Sequence, residues 1–117
     1  MKPDWLDQQD YPFESRYFEL AGARMHYLVE GQGETILFVH GTPSWSFDFR
    51  KQIAVLRDHF RCLAVDHVGF GLSDKPEYYD YGTQNHSRTL GQFALARDLH
   101  DLTLVVHDFG GPIGLNF

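Results

Sequence analysis

Leu102-Thr-Leu-Val-Val-His-Asp-Phe-Gly-Gly-Pro-Ile-Gly114 runs as an apolar, β-branched segment, then one carboxylate at Asp108, then glycines and a proline. Such a composition predicts a buried strand over Leu102 to Val106. Proline is tolerated in a helix only in the first turn, where the amides have no intrahelical partner, so Pro112 places a helix start near Gly110. Strand, sharp turn and helix in that order can hold a catalytic nucleophile on the turn, with small residues beside it so that the two backbones approach closely. Asp108 occupies the nucleophile position, and Val106 stands where the most general form of the pattern has glycine. Aspartate is also among the preferred helix N-caps, so residue type alone leaves a catalytic and a capping role open.

Asp108-Phe109-Gly110 also spells the magnesium-binding triplet of protein kinases. That reading fails, because neither a Gly-rich loop leading to a Val-Ala-Ile-Lys-like strand nor a His-Arg-Asp loop precedes it.

Two earlier segments match the strand at Leu102 to Val106. Thr35-Ile-Leu-Phe-Val39 and Arg61-Cys-Leu-Ala-Val65 are continuous apolar runs of strand length, as expected where helices cover both faces of a parallel sheet. Between the three lie helical patterns. Trp45, Phe49, Ile53 and Leu56 form one stripe over Ser44 to His59, and Leu90, Phe93, Ala94 and the stem of Arg97 form another over Thr83 to Leu99, interrupted by Gly91. Upstream, Arg16 to Leu20 and Arg24 to Glu30 alternate in polarity around Ala21-Gly22-Ala23, which predicts an antiparallel hairpin. Met1 to Glu14 shows no period and is expected to wrap over the surface. The order predicts an α/β fold whose mixed sheet starts antiparallel and continues by parallel crossovers.

Composition narrows the function classes. The chain of 117 residues suits one small domain, and a net charge of −6 without a Lys/Arg cluster argues against nucleic-acid binding. No apolar stretch approaches the roughly 20 residues that span a bilayer, and no signal peptide is visible at the polar start, so a cytoplasmic location is expected. Cys62, the single cysteine, sits in an apolar run and reads as a small core residue.

Two loops complete the picture. His40-Gly-Thr-Pro-Ser-Trp-Ser-Phe47 follows the strand at Thr35 to Val39, and Asp66-His-Val-Gly-Phe-Gly-Leu-Ser-Asp-Lys-Pro76 follows the strand at Arg61 to Val65. With the Asp108 turn, they put three loops at the carboxyl edge of consecutive buried strands, where open α/β sheets bind ligands. His40 reads as a structural residue anchoring its loop by a hydrogen bond. Strand alternation would turn His107 away from Asp108, which makes it a packing or hydrogen-bonding residue rather than a base.

His40-Gly41-Thr42-Pro43 with Trp45 and Arg50, then Asp66-His67-Val68-Gly69-Phe70-Gly71 through Ser73-Asp74-Lys75-Pro76, then Val105 to Gly111, resembles the α/β-hydrolase superfamily and within it the haloalkane dehalogenase-like enzymes. The resemblance runs from Tyr11 onward. It implies that residues 1–117 are the N-terminal part of a single core domain with an eight-stranded, mostly parallel sheet, ending just after the nucleophile elbow. The cap, the general-base His and its acidic partner would then lie beyond Phe117, and the chain alone would be inactive. It further implies that Asp108 is the nucleophile, that the backbone amides of Phe109 and Thr42 form the oxyanion hole, and that Trp45 and His107 belong to the substrate pocket. No cofactor and no metal are implied, and the partners are a small apolar substrate and water. A carboxyl group, with an ordinary pKa of about 3.9, needs no base to become a nucleophile.

This chain departs from the dehalogenase pattern at the leaving-group contacts. Those enzymes typically place a Trp directly after the nucleophile and often an Asn after His-Gly; here the residues are Phe109 and Thr42, and a phenyl ring has no N–H to donate. Epoxide hydrolases share a His-Asp pair like His107-Asp108, and β-lactone-opening enzymes carry a similar His-Gly-x-Pro-Ser-Trp-Ser-Phe stretch with an Arg like Arg50. A non-catalytic, ligand-binding relative is the alternative of another class.

Overall fold

Side-chain alternation along the buried strands sorts the apolar residues between two helical layers. The computed structural model describes residues 3–116. Its strands are β1 (Arg16–Leu20), β2 (Ala23–Glu30), β3 (Thr35–Val39), β4 (Arg61–Val65) and β5 (Thr103–Val106), and its helices are α1 (Arg50–Leu56), α2 (Thr83–Ala96) and α3 (Gly110–Leu115). Leu37, Val39, Leu63, Val65 and Tyr27 face Leu90 and Phe93 of α2 and Ile113 of α3. Ile36, Phe38, Cys62, Ala64 and Leu28 face the other way, toward Ile53 of α1, Phe49, Tyr11 and Phe13. Each face excludes water from one side of the sheet, which is why β3 and β4 read as unbroken apolar runs.

The five strands lie in the order β1-β2-β4-β3-β5. β1 and β2 form the expected hairpin, with Leu20 opposite Ala23, and β2 runs antiparallel to β4. β3 pairs in parallel with β4 on one side and with β5 on the other. The chain therefore leaves β3 in one direction through α1 and returns past it through α2 to reach β5. That reversal makes the gap beyond the carboxyl ends of β3 and β5 a topological switch point, where ligands of open α/β sheets bind.

Four expectations need correction. The helix expected over Ser44 to His59 is a 3-10 turn at Ser46–Phe49 followed by the shorter α1. Trp45 cannot join it, because its backbone is extended at φ −164°, ψ −177°. Its ring instead stacks on Tyr11 and Phe47, with centroids 5.3 Å away in each case. The N-terminal segment does not only wrap the surface: Tyr11 is 0% and Phe13 1% exposed, and they fill the α1 side of the core. α2 ends at Ala96, with Arg97 as its C-cap, and β5 begins at Thr103 rather than Leu102. Arg97 does lay its guanidinium over Tyr27, at 5.4 Å from the ring centroid. Among the described residues, no helix is long and apolar enough to cross a membrane.

Candidate active site

Asp108 sits between β5 and α3 with φ +56°, in the left-handed region. Aspartate enters that region more readily than most residues, yet at a cost that surrounding structure must offset. The turn is held by the Gly110 amide donating to the His107 carbonyl at 2.9 Å and the Gly111 amide donating to the Asp108 carbonyl at 3.0 Å. Asp108 makes no N-cap hydrogen bond: the N-cap residue of α3 is Phe109, and no side chain caps the helix. Its carboxylate turns the other way, accepting the backbone N–H of Thr42 at 3.4 Å through Oδ2. Residues from the ends of β3 and β5 thus meet at the switch point.

Two glycines make that approach possible. A Cβ on Gly41 would lie 2.6 Å from Asp108 Cβ and 2.8 Å from the His107 carbonyl oxygen, and one on Gly110 would lie 2.2 Å from the Val39 carbonyl oxygen. No real Cβ sits that close to backbone, so both positions exclude any other residue unless the loop moves. The peptide bond between Thr42 and Pro43 is cis. Gly41, Thr42, Pro43, Ser44, Asp48, His107 and Asp108 line an open depression. Ser44 Oγ donates to the Asp48 carboxylate on its rim.

The sequence-derived site residues therefore divide. Asp108, Thr42 and His107 share the depression, whereas Trp45 is not among the residues lining it. His107 follows the end of β5 at Val106, and it lines the depression together with Asp108. Phe109 is about half exposed, and its backbone amide donates to no protein acceptor among the described residues.

Beneath the depression lies a buried polar layer that the sequence only partly signalled. The His67 amide donates to His40 Nε2 at 2.9 Å, so the His40 proton resides on Nδ1, which donates to the Gly41 carbonyl at 2.7 Å. Burial pushes His40 below the ordinary imidazole range and takes His67 down to about 3, helped by its neighbours His40 and His86. Both rings are neutral hydrogen-bonding struts at neutral pH. Asp66, fully buried, accepts from the Ser46 amide at 2.7 Å, the Leu72 amide at 3.0 Å and His26 Nδ1 at 2.9 Å. Burial alone would raise its carboxyl, but the hydrogen bond and charge of His26 and the two amides hold it below the ordinary carboxylate range. The loop at Asp66 to Pro76 is marked in the sequence by its turn-forming residues, while its tie to His26, 40 positions away, has no local signal. Among the described residues, no group of three or more His, Cys, Asp or Glu is arranged to hold a metal ion.

Comparison with known proteins agrees with this geometry. A family model described as the alpha/beta hydrolase fold matches residues 34–117. The chain is 46% identical over 109 residues to Haloalkane dehalogenase 2 of Mycobacterium tuberculosis, covering 93% of this chain and 38% of that protein. It is 42% identical over 109 residues to the cis-3-alkyl-4-alkyloxetan-2-one decarboxylase of Shewanella oneidensis, covering 91% of this chain and 34% of the relative. Among solved structures, haloalkane dehalogenase DpaA from Paraglaciecola agarilytica superposes with a TM-score of 0.84 at 38% identity, over 91% of this chain and 38% of that one. The chain spans little more than a third of the length of these relatives. Sheet order, loop motifs and these similarities agree: the chain belongs to the α/β-hydrolase fold family, as a haloalkane dehalogenase-like N-terminal part.

Proposed function

We propose that this chain is the N-terminal part of the core domain of a hydrolase that uses Asp108 as its nucleophile and forms an alkyl ester on that side chain. One observation carries the reading: a carboxylate on a left-handed turn at the switch point accepts the Thr42 amide rather than capping its own helix. In the first step a carboxylate oxygen of Asp108 attacks an sp³ carbon, forming a C–O bond as the bond to the leaving group breaks and the leaving group departs with its electron pair. In the second, water adds to the ester carbonyl carbon of Asp108. The resulting oxyanion is held by the Thr42 and Phe109 amides, and the acyl C–O bond then breaks to release the alcohol. The base that takes the water proton, its acidic partner and the cap over the depression are assigned to chain following Phe117, and the 117 residues alone are expected to be inactive. A small apolar substrate in a cytoplasmic setting fits this reading.

A second reading keeps the same nucleophile site but opens a β-lactone. It is favoured by Phe109, whose ring offers no N–H to a departing halide, and by the 42% identity to the oxetanone decarboxylase. The test assays the complete enzyme on 1-bromoalkanes, epoxides and a β-lactone, with Asp108→Asn alongside. Loss of turnover on the preferred substrate in Asp108→Asn is expected, and undiminished turnover would overturn the nucleophile assignment.

A further inference from the structure

The loop that carries the Thr42 amide is pinned at both ends by the two consecutive residues that follow the neighbouring strand β4. At one end His40 Nε2 accepts the His67 amide at 2.9 Å. At the other, the Ser46 amide donates to Asp66 Oδ1 at 2.7 Å. Asp66 is itself fixed. Its Oδ2 accepts His26 Nδ1 and the Leu72 amide, and its backbone carbonyl accepts Ser73 Oγ at 2.6 Å, while Ser73 Oγ accepts the His26 amide at 2.7 Å. His26 is held from behind by Ser15 Oγ at 2.9 Å. All donors converge on an acceptor-only group, so a carboxylate satisfies the set and a carboxamide cannot.

We propose that Asp66 is a positioning residue for the second chemical step: through the Ser46 amide it sets the placement of the Thr42 amide opposite Asp108. The proposal rests on the ester mechanism given above, and that mechanism makes it separable from mere structural support. Displacement at an sp³ carbon builds no charge on the Asp108 carbonyl oxygen, so the Thr42 amide has little to do in ester formation. Water addition builds a full oxyanion there. A loop shifted by a fraction of an ångström therefore slows ester hydrolysis selectively.

The experiment is rapid-quench single turnover of the complete enzyme with a 1-bromoalkane or a β-lactone, following the mass of the peptide that contains Asp108. In Asp66→Asn, ester formation is expected to stay within about threefold of wild type while its hydrolysis slows by about tenfold or more, set against roughly 10²–10³ for outright loss of an oxyanion donor. The alkylated peptide then accumulates. Ser46→Pro provides a second variant that severs the same link should Asp66→Asn fail to fold: it removes the donor at the first position of a helical turn, after an extended residue. Tyr11→Phe controls for the Ser46 hydroxyl, which bonds Tyr11 Oη at 2.6 Å, and is expected to leave the ratio of the two rates unmoved. Equal slowing of both steps, or no change in their ratio, would overturn the positioning role. No ester on Asp108 in the wild type would instead remove the nucleophile reading, and this inference with it.

Discussion

His40 and His67 hold each other at two points: the His67 amide donates to His40 Nε2 at 2.9 Å, and His67 Nε2 donates to the His40 carbonyl at 3.2 Å. Their rings lie 4.1 Å apart, centroid to centroid, and the second contacts His86 at 5.1 Å. One protonated ring in this layer would face neutral partners, with no carboxylate bonded to either imidazole among the described residues.

That arrangement ties stability to pH. Unfolded His67 takes up a proton near its ordinary 6.5, while folded His67 does so only near 3. Between those values the unfolded state binds more protons, so the contribution is complete above about pH 6.5 and is lost as pH falls toward 3, at about 1.4 kcal/mol per pH unit. Asp66, held below the ordinary carboxylate range, adds loss in the same direction below about 3.8. In His67→Gln, whose side-chain amide can still donate to the His40 carbonyl, denaturant midpoints should fall less steeply between pH 6.5 and 5 than in the wild type. Equal slopes would remove His67 from the linkage.

Gly41→Ala tests the closeness of the two loops. The new Cβ would lie 2.6 Å from Asp108 Cβ and 3.0 Å from its Oδ2, so the loop must move away from the carboxylate. Turnover by the complete enzyme is expected to drop about a hundredfold, with thermal unfolding shifted far less than the activity. Wild-type turnover in Gly41→Ala would show that the observed approach is not needed for the reaction.

Asp108 holds a left-handed backbone at φ +56°. Asp108→Gly relieves the positive φ and should raise the unfolding free energy by about 1 kcal/mol while abolishing turnover. Asp108→Ala loses turnover without that gain. Chemical denaturation of the two variants side by side decides it: equal stabilities would mean the turn carries no strain.

What the sequence disclosed follows the range of the interactions involved. β3 and β4 were legible because both faces of each strand are covered, which leaves a continuous apolar run. The Asp108 turn was legible because Gly110 and Pro112 are local backbone signals. The helix over Ser44 to His59 was overextended because Trp45 keeps helical spacing with Phe49 while its ring is claimed by Tyr11, 34 positions earlier by number. The burial of Tyr11 and Phe13, and the seat of Asp66 between His26 and Ser46, depend on contacts across the sheet that no local pattern encodes.

Phe109→Trp addresses the leaving group. An indole N–H beside Asp108 would donate to a departing halide, and a hydrogen bond to a charged group contributes about 1.5–3 kcal/mol, or about ten- to a hundredfold in rate. Bromide release from 1-bromoalkanes should rise by about tenfold or more in this variant, with little effect on β-lactone opening. No gain, together with efficient bromide release by the wild type, would show that halide is already well held by other donors.

Asp108 is expected to become alkylated, and water is then expected to attack its own carboxyl carbon. A single turnover of the complete enzyme, in excess over substrate, in ¹⁸O-labelled water tests it directly by mass spectrometry of the peptide containing Asp108. Label is expected in the Asp108 carboxylate while the first-turnover alcohol carries unlabelled oxygen from that side chain; label found only in the alcohol would contradict alkylation of Asp108.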